Sequence, residues 1–92
     1  MSSITVRIPT PLRPFVEDAS VVDADAETVG AALAQIGERH PGFLQRVMQD
    51  EGRLRPYVNV FIGCENVKSA SGLDTPLSDG DIVSIIPAVA GG

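Results

Sequence analysis

The most reactive candidate in this chain is its end. Ala88-Val89-Ala90-Gly91-Gly92 carries only small side chains, follows Pro87 and an apolar run, and finishes in two glycines. Glycine has no Cβ, so such a backbone can enter a slot that excludes any larger residue. From Pro87 onward the six residues reach at most about 20 Å when extended. The group delivered would be the terminal carboxylate of Gly92. A carboxylate resists nucleophilic attack at its carbon and must first be activated, normally as an acyl-adenylate made from ATP. The chain has no Gly-rich phosphate loop ahead of a helix, so the activator would be another protein. Taken alone, a Gly-Gly end reads as frayed chain; the residues before it change that reading.

Elsewhere the side chains offer little catalysis. Cys64 is the single cysteine and His40 the single histidine, so no internal disulfide, iron–sulfur cluster, cysteine-based zinc site or His-based metal pair can be assembled. Cys64 has no neighbouring His to activate it and reads as a bystander, while His40 suits the end of a helix. Asp79 and Asp81 resemble half a metal site, but a turn accounts for both. Pro11-Leu12-Arg13-Pro14 matches a PxxP ligand, and reads first as a rigid loop between strands. No Ser–His–Asp or paired-carboxylate set stands out.

Ninety-two residues leave room for one domain and one core. A chain of this size hides only about 60–65% of its unfolded surface, which argues against a deep active site. With 43% apolar and 21% charged residues the composition is globular. Twelve acidic residues against seven basic ones, and a 4% aromatic content, argue against nucleic-acid binding. The net charge of −5 suits either an ordinary acidic surface or steering toward a basic partner. The first 14 residues lack the pattern of a signal peptide, and the longest apolar stretch, Ile82 to Ala90, is interrupted by Ser84 and Pro87 and too short for a bilayer. A cytoplasmic protein without membrane contact is expected.

Ile4, Val6 and Ile8 alternate with Thr5 and Arg7 as in a half-buried strand. Pro9, Pro11 and Pro14 then forbid regular pairing or helix until about Phe15, and Ala19 to Asp23 would return as a second strand. Val29, Ala32, Leu33 and Ile36 form a helical stripe with Thr28 as N-cap and Pro41 as stop. A shorter helix from about Phe43 to Gln49 would bury Phe43, Leu44, Val47 and Met48, with a loop at Asp50 to Gly52. Tyr57 to Ile62 reads as a strand, Gly63-Cys64 as a turn before a short strand near Val67, and Ile82 to Ile86 as the last strand after an Asp79-Gly80 turn. One amphipathic helix needs one sheet face, which makes a two-layer α+β domain. Pairing the first and last strands in parallel at the sheet centre gives a β-grasp fold: a mixed sheet of four to five strands on one main helix plus a short helix. Residues 1–86 would form the body and 87–92 a tail. If Val83 and Ile85 face the helix, Ile82, Ser84 and Ile86 turn outward with Tyr57, Asn59 and Phe61. Phe61 and Ile86 would then offer an apolar docking patch beside the tail.

The segment from Leu77 to Gly92 resembles the C-terminal signature of the ubiquitin-like sulfur carriers, the family of ThiS, the molybdopterin synthase small subunit and the CysO-type carriers. Its parts are an Asp79-Gly80-Asp81 turn, an apolar strand, Pro87, a short small-residue tail and Gly91-Gly92. Thr28-Val29-Gly30 and Val58-Asn59-Val60 also match, and the resemblance covers essentially the whole chain. Ile8-Pro9-Thr10, Leu12-Arg13-Pro14 and the ending Ile86 to Gly92 look most like the CysO type. Cys64 departs from the family, whose members usually carry a polar turn residue there.

The resemblance implies a protein cosubstrate, not an enzyme. A ubiquitin-activating-type adenylating and sulfurtransferase enzyme would adenylate Gly92, and a sulfur donor would convert it to a thiocarboxylate, a soft sulfur nucleophile. In the CysO-type route that sulfur attacks an aminoacrylate on a pyridoxal-phosphate cysteine synthase, and a metalloprotease then releases cysteine. ATP, pyridoxal phosphate and zinc would belong to those partners, with no cofactor or metal held by this chain. Gly91, Ala90, Val89, Ala88, Pro87, Ile86 and Phe61 would meet the partners. Three other roles remain open: a molybdopterin synthase small subunit, a modifier joined to lysine through Gly92, or an inert β-grasp interaction module.

Overall fold

The computed structural model describes residues 2–50, 53–67 and 71–87. Alternation folds Ser3–Arg7 into β1, with Ile4 and Val6 buried, and Val21–Asp25 into β2, with Val22 and Ala24 buried. These two strands pair antiparallel, Val6 facing Val22. The last strand, β7 (Ile82–Pro87), runs parallel to β1 through Thr5–Ile82, Val6–Val83 and Arg7–Ser84. On its other side β7 pairs antiparallel with β5 (Val58–Ile62), which turns at Gly63 (φ +61°) into the two-residue β6 (Glu65–Asn66). The sheet order β2-β1-β7-β5-β6, with chain-distant strands side by side at its centre, is the expected β-grasp arrangement.

Helix α1 (Val29–Arg39) lies across one face and buries Val29, Ala32, Leu33, Ile36 and Gly37. Its cap is the expected one: Thr28 Oγ1 accepts from the Ala31 N–H at 3.2 Å. Two polar side chains of α1 also seal the free edge of β2. The Gln35 amide accepts from the Asp25 N–H and donates to the Asp25 carbonyl, both at 2.9 Å, and Arg39 donates to the Asp23 carbonyl at 2.9 Å. An open strand edge is a template for pairing with another chain, and here much of it is occupied.

The prolines do not keep the segment after β1 irregular. Thr10–Val16 is a 3-10 helix that buries Leu12 and Val16. Pro11 stands in its first turn, where a missing N–H costs nothing, and the i to i+3 pattern over so short a run tolerates Pro14. The helix closes through Glu17 and Asp18, both left-handed (φ 57° and 62°), with Asp18 N–H donating to the Arg13 carbonyl at 2.7 Å. Those residues are held in the turn, so β2 starts at Val21, two residues later than Ala19.

The second helix, α2, spans Pro41–Val47 rather than Phe43 to Gln49, because Pro41 is well placed to start a helix. Phe43 and Val47 are buried, whereas Leu44 and Met48 are only partly so. Met48–Asp50 instead forms β3, a small hairpin with β4 (Arg53–Leu54), which corrects the expected loop beginning at Asp50; Glu51 and Gly52 lie outside the described residues. The short strand expected near Val67 is β6, and Val67 itself is buried just beyond it.

The Asp79-Gly80-Asp81 turn ties the two central strands together. Asp79 Oδ1 accepts from the Ser3 N–H at 2.6 Å, Asp81 Oδ2 from the Ser78 N–H at 2.8 Å, and Gly80 (φ +87°) donates to the Ser3 carbonyl at 2.8 Å. Both carboxylates are engaged as acceptors from backbone, which supports the turn reading over a half metal site. Among the described residues no group of three or more His, Cys, Asp or Glu could hold a metal ion, and no helix is long and apolar enough to cross a membrane.

Candidate functional site

The outer face of the sheet, near the end of β7, holds Phe61 and Ile86, two of the residues expected to meet a partner. Val83 and Ile85 are buried under α1, so Ile82 and Ile86 turn outward with 48% and 50% of their surface exposed. On β5 the neighbours across the ladder are Ser84 with Phe61 and Ile86 with Asn59. Phe61 is therefore flanked diagonally by Ile82 and Ile86, within reach of an aromatic side chain. Tyr57, 49% exposed, precedes β5 at the end nearest Ile86 and Pro87. Phe61 and Ile86 thus share one face as expected, with Phe61 half-buried and Ile86 open. Exposed Val21 joins this face from β2, a member that sequence reasoning missed because its face is set by pairing opposite Arg7.

Two prolines end the central ladder at this site. Thr5 N–H donates to the Asp81 carbonyl at 3.1 Å, and the two-residue repeat of a parallel pair passes through Arg7 to position 9, where β1's continuation would donate toward the end of β7. Pro9 has no N–H to give. On the other side Gly63 N–H donates to the Ile82 carbonyl at 3.3 Å, so alternation makes Val58 and Pro87 a non-hydrogen-bonded pair. Pro87 therefore closes β7 at no cost to the β5 ladder, and its own missing donor faces the side where β1 has ended. Ala88, Val89, Ala90, Gly91 and Gly92 lie outside the described residues.

Cys64 is exposed in the β5–β6 turn. His40 links α1 to α2, its N–H donating to the Ile36 carbonyl at 2.8 Å. Neither joins the face described above.

A mixed sheet of this order packed on α1 defines the ubiquitin-like β-grasp class of protein. The chain belongs to the ThiS family, whose model matches residues 6–92. It is 39% identical over 92 residues to the sulfur carrier protein CysO of Mycobacterium tuberculosis, covering 98% of this chain and 99% of that protein. The CysO-containing crystal structure of the BexX/CysO complex from Amycolatopsis orientalis superposes with a TM-score of 0.90 at 37% identity, over 97% of this chain and 99% of that one. The small archaeal modifier protein 3 of Haloferax volcanii is 42% identical over 71 residues, 77% of this chain and 75% of that protein. Members of the family act as carriers, cosubstrates of other enzymes rather than catalysts, and this chain is one of them.

Proposed function

We propose that this protein is a sulfur carrier of the CysO type. Gly92 is adenylated by a ubiquitin-activating-type enzyme with release of pyrophosphate, and a sulfur donor then displaces AMP to leave a terminal thiocarboxylate. That sulfur adds to an aminoacrylate on a pyridoxal-phosphate cysteine synthase, and a metalloprotease frees the cysteine formed. The observation that carries this reading is 39% identity to a sulfur carrier protein CysO along nearly the full length of both chains. The ending Pro87-Ala88-Val89-Ala90-Gly91-Gly92 supports it, since it offers a narrow backbone and one activatable carboxylate. The outer-face residues Phe61 and Ile86 serve as the docking surface in this reading, beside the strand from which the tail continues.

The test is intact-mass analysis after incubation with an adenylating enzyme, ATP and a sulfur source. A mass increase of one oxygen-to-sulfur exchange, followed by transfer of that sulfur when the pyridoxal-phosphate enzyme and O-phosphoserine are added, is expected. An unchanged mass with every activator overturns the proposal. A second reading, a modifier attached to lysine, is favoured by the identity to the Haloferax volcanii modifier protein. Ladders of high-mass lysine conjugates in the same assay would select it.

A further inference from the structure

Arg7 and Arg13 open onto one groove of about 390 Å³ beside the end of β7, lined also by Val21, Ser84 and Ile86. Arg7 stands between Val21 and Ser84 on the neighbouring strands, so neither residue directly across from it bears a charge. Asp23 stands only diagonally to it, one row along β2, and makes no ion pair with it. Arg13 is fixed by its Nε, which donates to the Ile8 carbonyl at 3.1 Å and leaves the terminal nitrogens of the guanidinium for another acceptor. Among the described residues neither guanidinium has a carboxylate partner. Other arginines are engaged in holding the fold: Arg39 on the Asp23 carbonyl, Arg46 over the Phe15 ring at 4.8 Å, and Arg55 on the Gln45 carbonyl.

Two guanidiniums in one groove, with no carboxylate partner among the described residues, run against the balance of a chain with twelve acidic and seven basic residues. A planar guanidinium presents a donor fork that matches a carboxylate. We propose that this groove receives a carboxylate side chain from an acidic segment of the protein that docks on the outer sheet face, with Val21 and Ile86 making the adjoining apolar contact. The inference rests on the docking surface described above and specifies its chemistry: a partner with Asp or Glu beside an apolar patch.

The test titrates the isotope-labelled full chain with an end-blocked hexapeptide of alternating Asp and Glu, using the Asn/Gln counterpart as control and inorganic phosphate as a separate probe. The Nε–H signals of Arg7 and Arg13 and the amides of Ser84 and Ile86 should shift with the acidic peptide and stay still with the control. Arg7→Gln, an exposed change, should weaken the peptide about threefold or more, and Arg7→Glu should abolish its binding. Arg13→Gln, which keeps a donor for the Ile8 carbonyl, should weaken it comparably. Silent signals with the peptide overturn the proposal. Equal or stronger shifts with phosphate overturn it in favour of a phosphate site. Shifts that follow the protein's own concentration overturn it in favour of a second copy of the chain. None of these readouts requires activation of Gly92. A loaded carrier with a silent groove sinks the groove alone, and a binding groove on a carrier that no enzyme loads sinks the sulfur reading alone.

Discussion

Phe61 of β5 stands directly opposite Ser84 of β7 on the outer face of the sheet. The small serine leaves the Phe61 ring flanked by Ile82 and Ile86 rather than faced by another large side chain. The most polar-looking position of the last strand thereby opens a shallow apolar seat between two isoleucines. One register step beyond Ile86 is Pro87, the residue from which the tail continues.

Phe61→Ala should therefore weaken binding to the activating enzyme about tenfold, roughly 1.4 kcal/mol. The ring is half-buried, so the fold should lose about 1 kcal/mol, far less than the 3–5 kcal/mol typical of truncating a fully buried Phe such as Phe43. Calorimetric binding alongside thermal melts separates the two effects. Equal affinity in both proteins would remove Phe61 from the docking surface.

Deleting Gly92 should abolish loading with sulfur while leaving the melting temperature unchanged. Among the described residues the buried core closes at Ile85, seven positions before that glycine. Intact mass after incubation with activating enzyme and ATP reads the first effect, and a thermal melt the second.

Gly37→Ala should destabilise the fold even though alanine is the better helix former. A Cβ at this position would sit 2.6 Å from Leu44 Cδ2 and 2.9 Å from Leu44 Cβ, where α1 and α2 meet. Overpacking typically costs about 1–3 kcal/mol against the roughly 1 kcal/mol that alanine gains in helix propensity. Adding Leu44→Ala should recover part of the loss, so denaturant unfolding of the double variant should show coupling between the two sites.

Gln35→Leu should cost about 1 kcal/mol and make the protein associate with itself. It removes both hydrogen bonds to Asp25 and opens that stretch of the β2 edge. Sedimentation across a range of concentrations is the measurement, and a strictly monomeric variant would reject the sealing role.

What the residues reveal before folding follows from how far each signal reaches along the chain. Alternation in Ser3–Arg7 and Ile82–Pro87 repeats over enough positions to mark strands and assign their faces, which is why Phe61 and Ile86 are legible as neighbours on one surface. Thr28 announces the start of α1 through a contact only three residues away. Met48–Asp50 is too short for a period to emerge, and its strand exists because Arg53–Leu54 returns beside it. The prolines of Thr10–Val16 signal interruption, yet a 3-10 turn uses the bonds they leave available. Gln35 on the β2 edge and Arg7 beside Arg13 depend on tertiary placement, to which hydrophobic patterning is blind.

The parallel pairing of β1 with β7 has a consequence for biosynthesis. The strand at the middle of the sheet emerges from the ribosome after every other strand, so the earlier segments wait without their central partner. Folding is thus completed only after translation of β7. In the reading proposed above, an activating enzyme that recognises the assembled sheet would ignore chains still being made and commit sulfur only to folded ones.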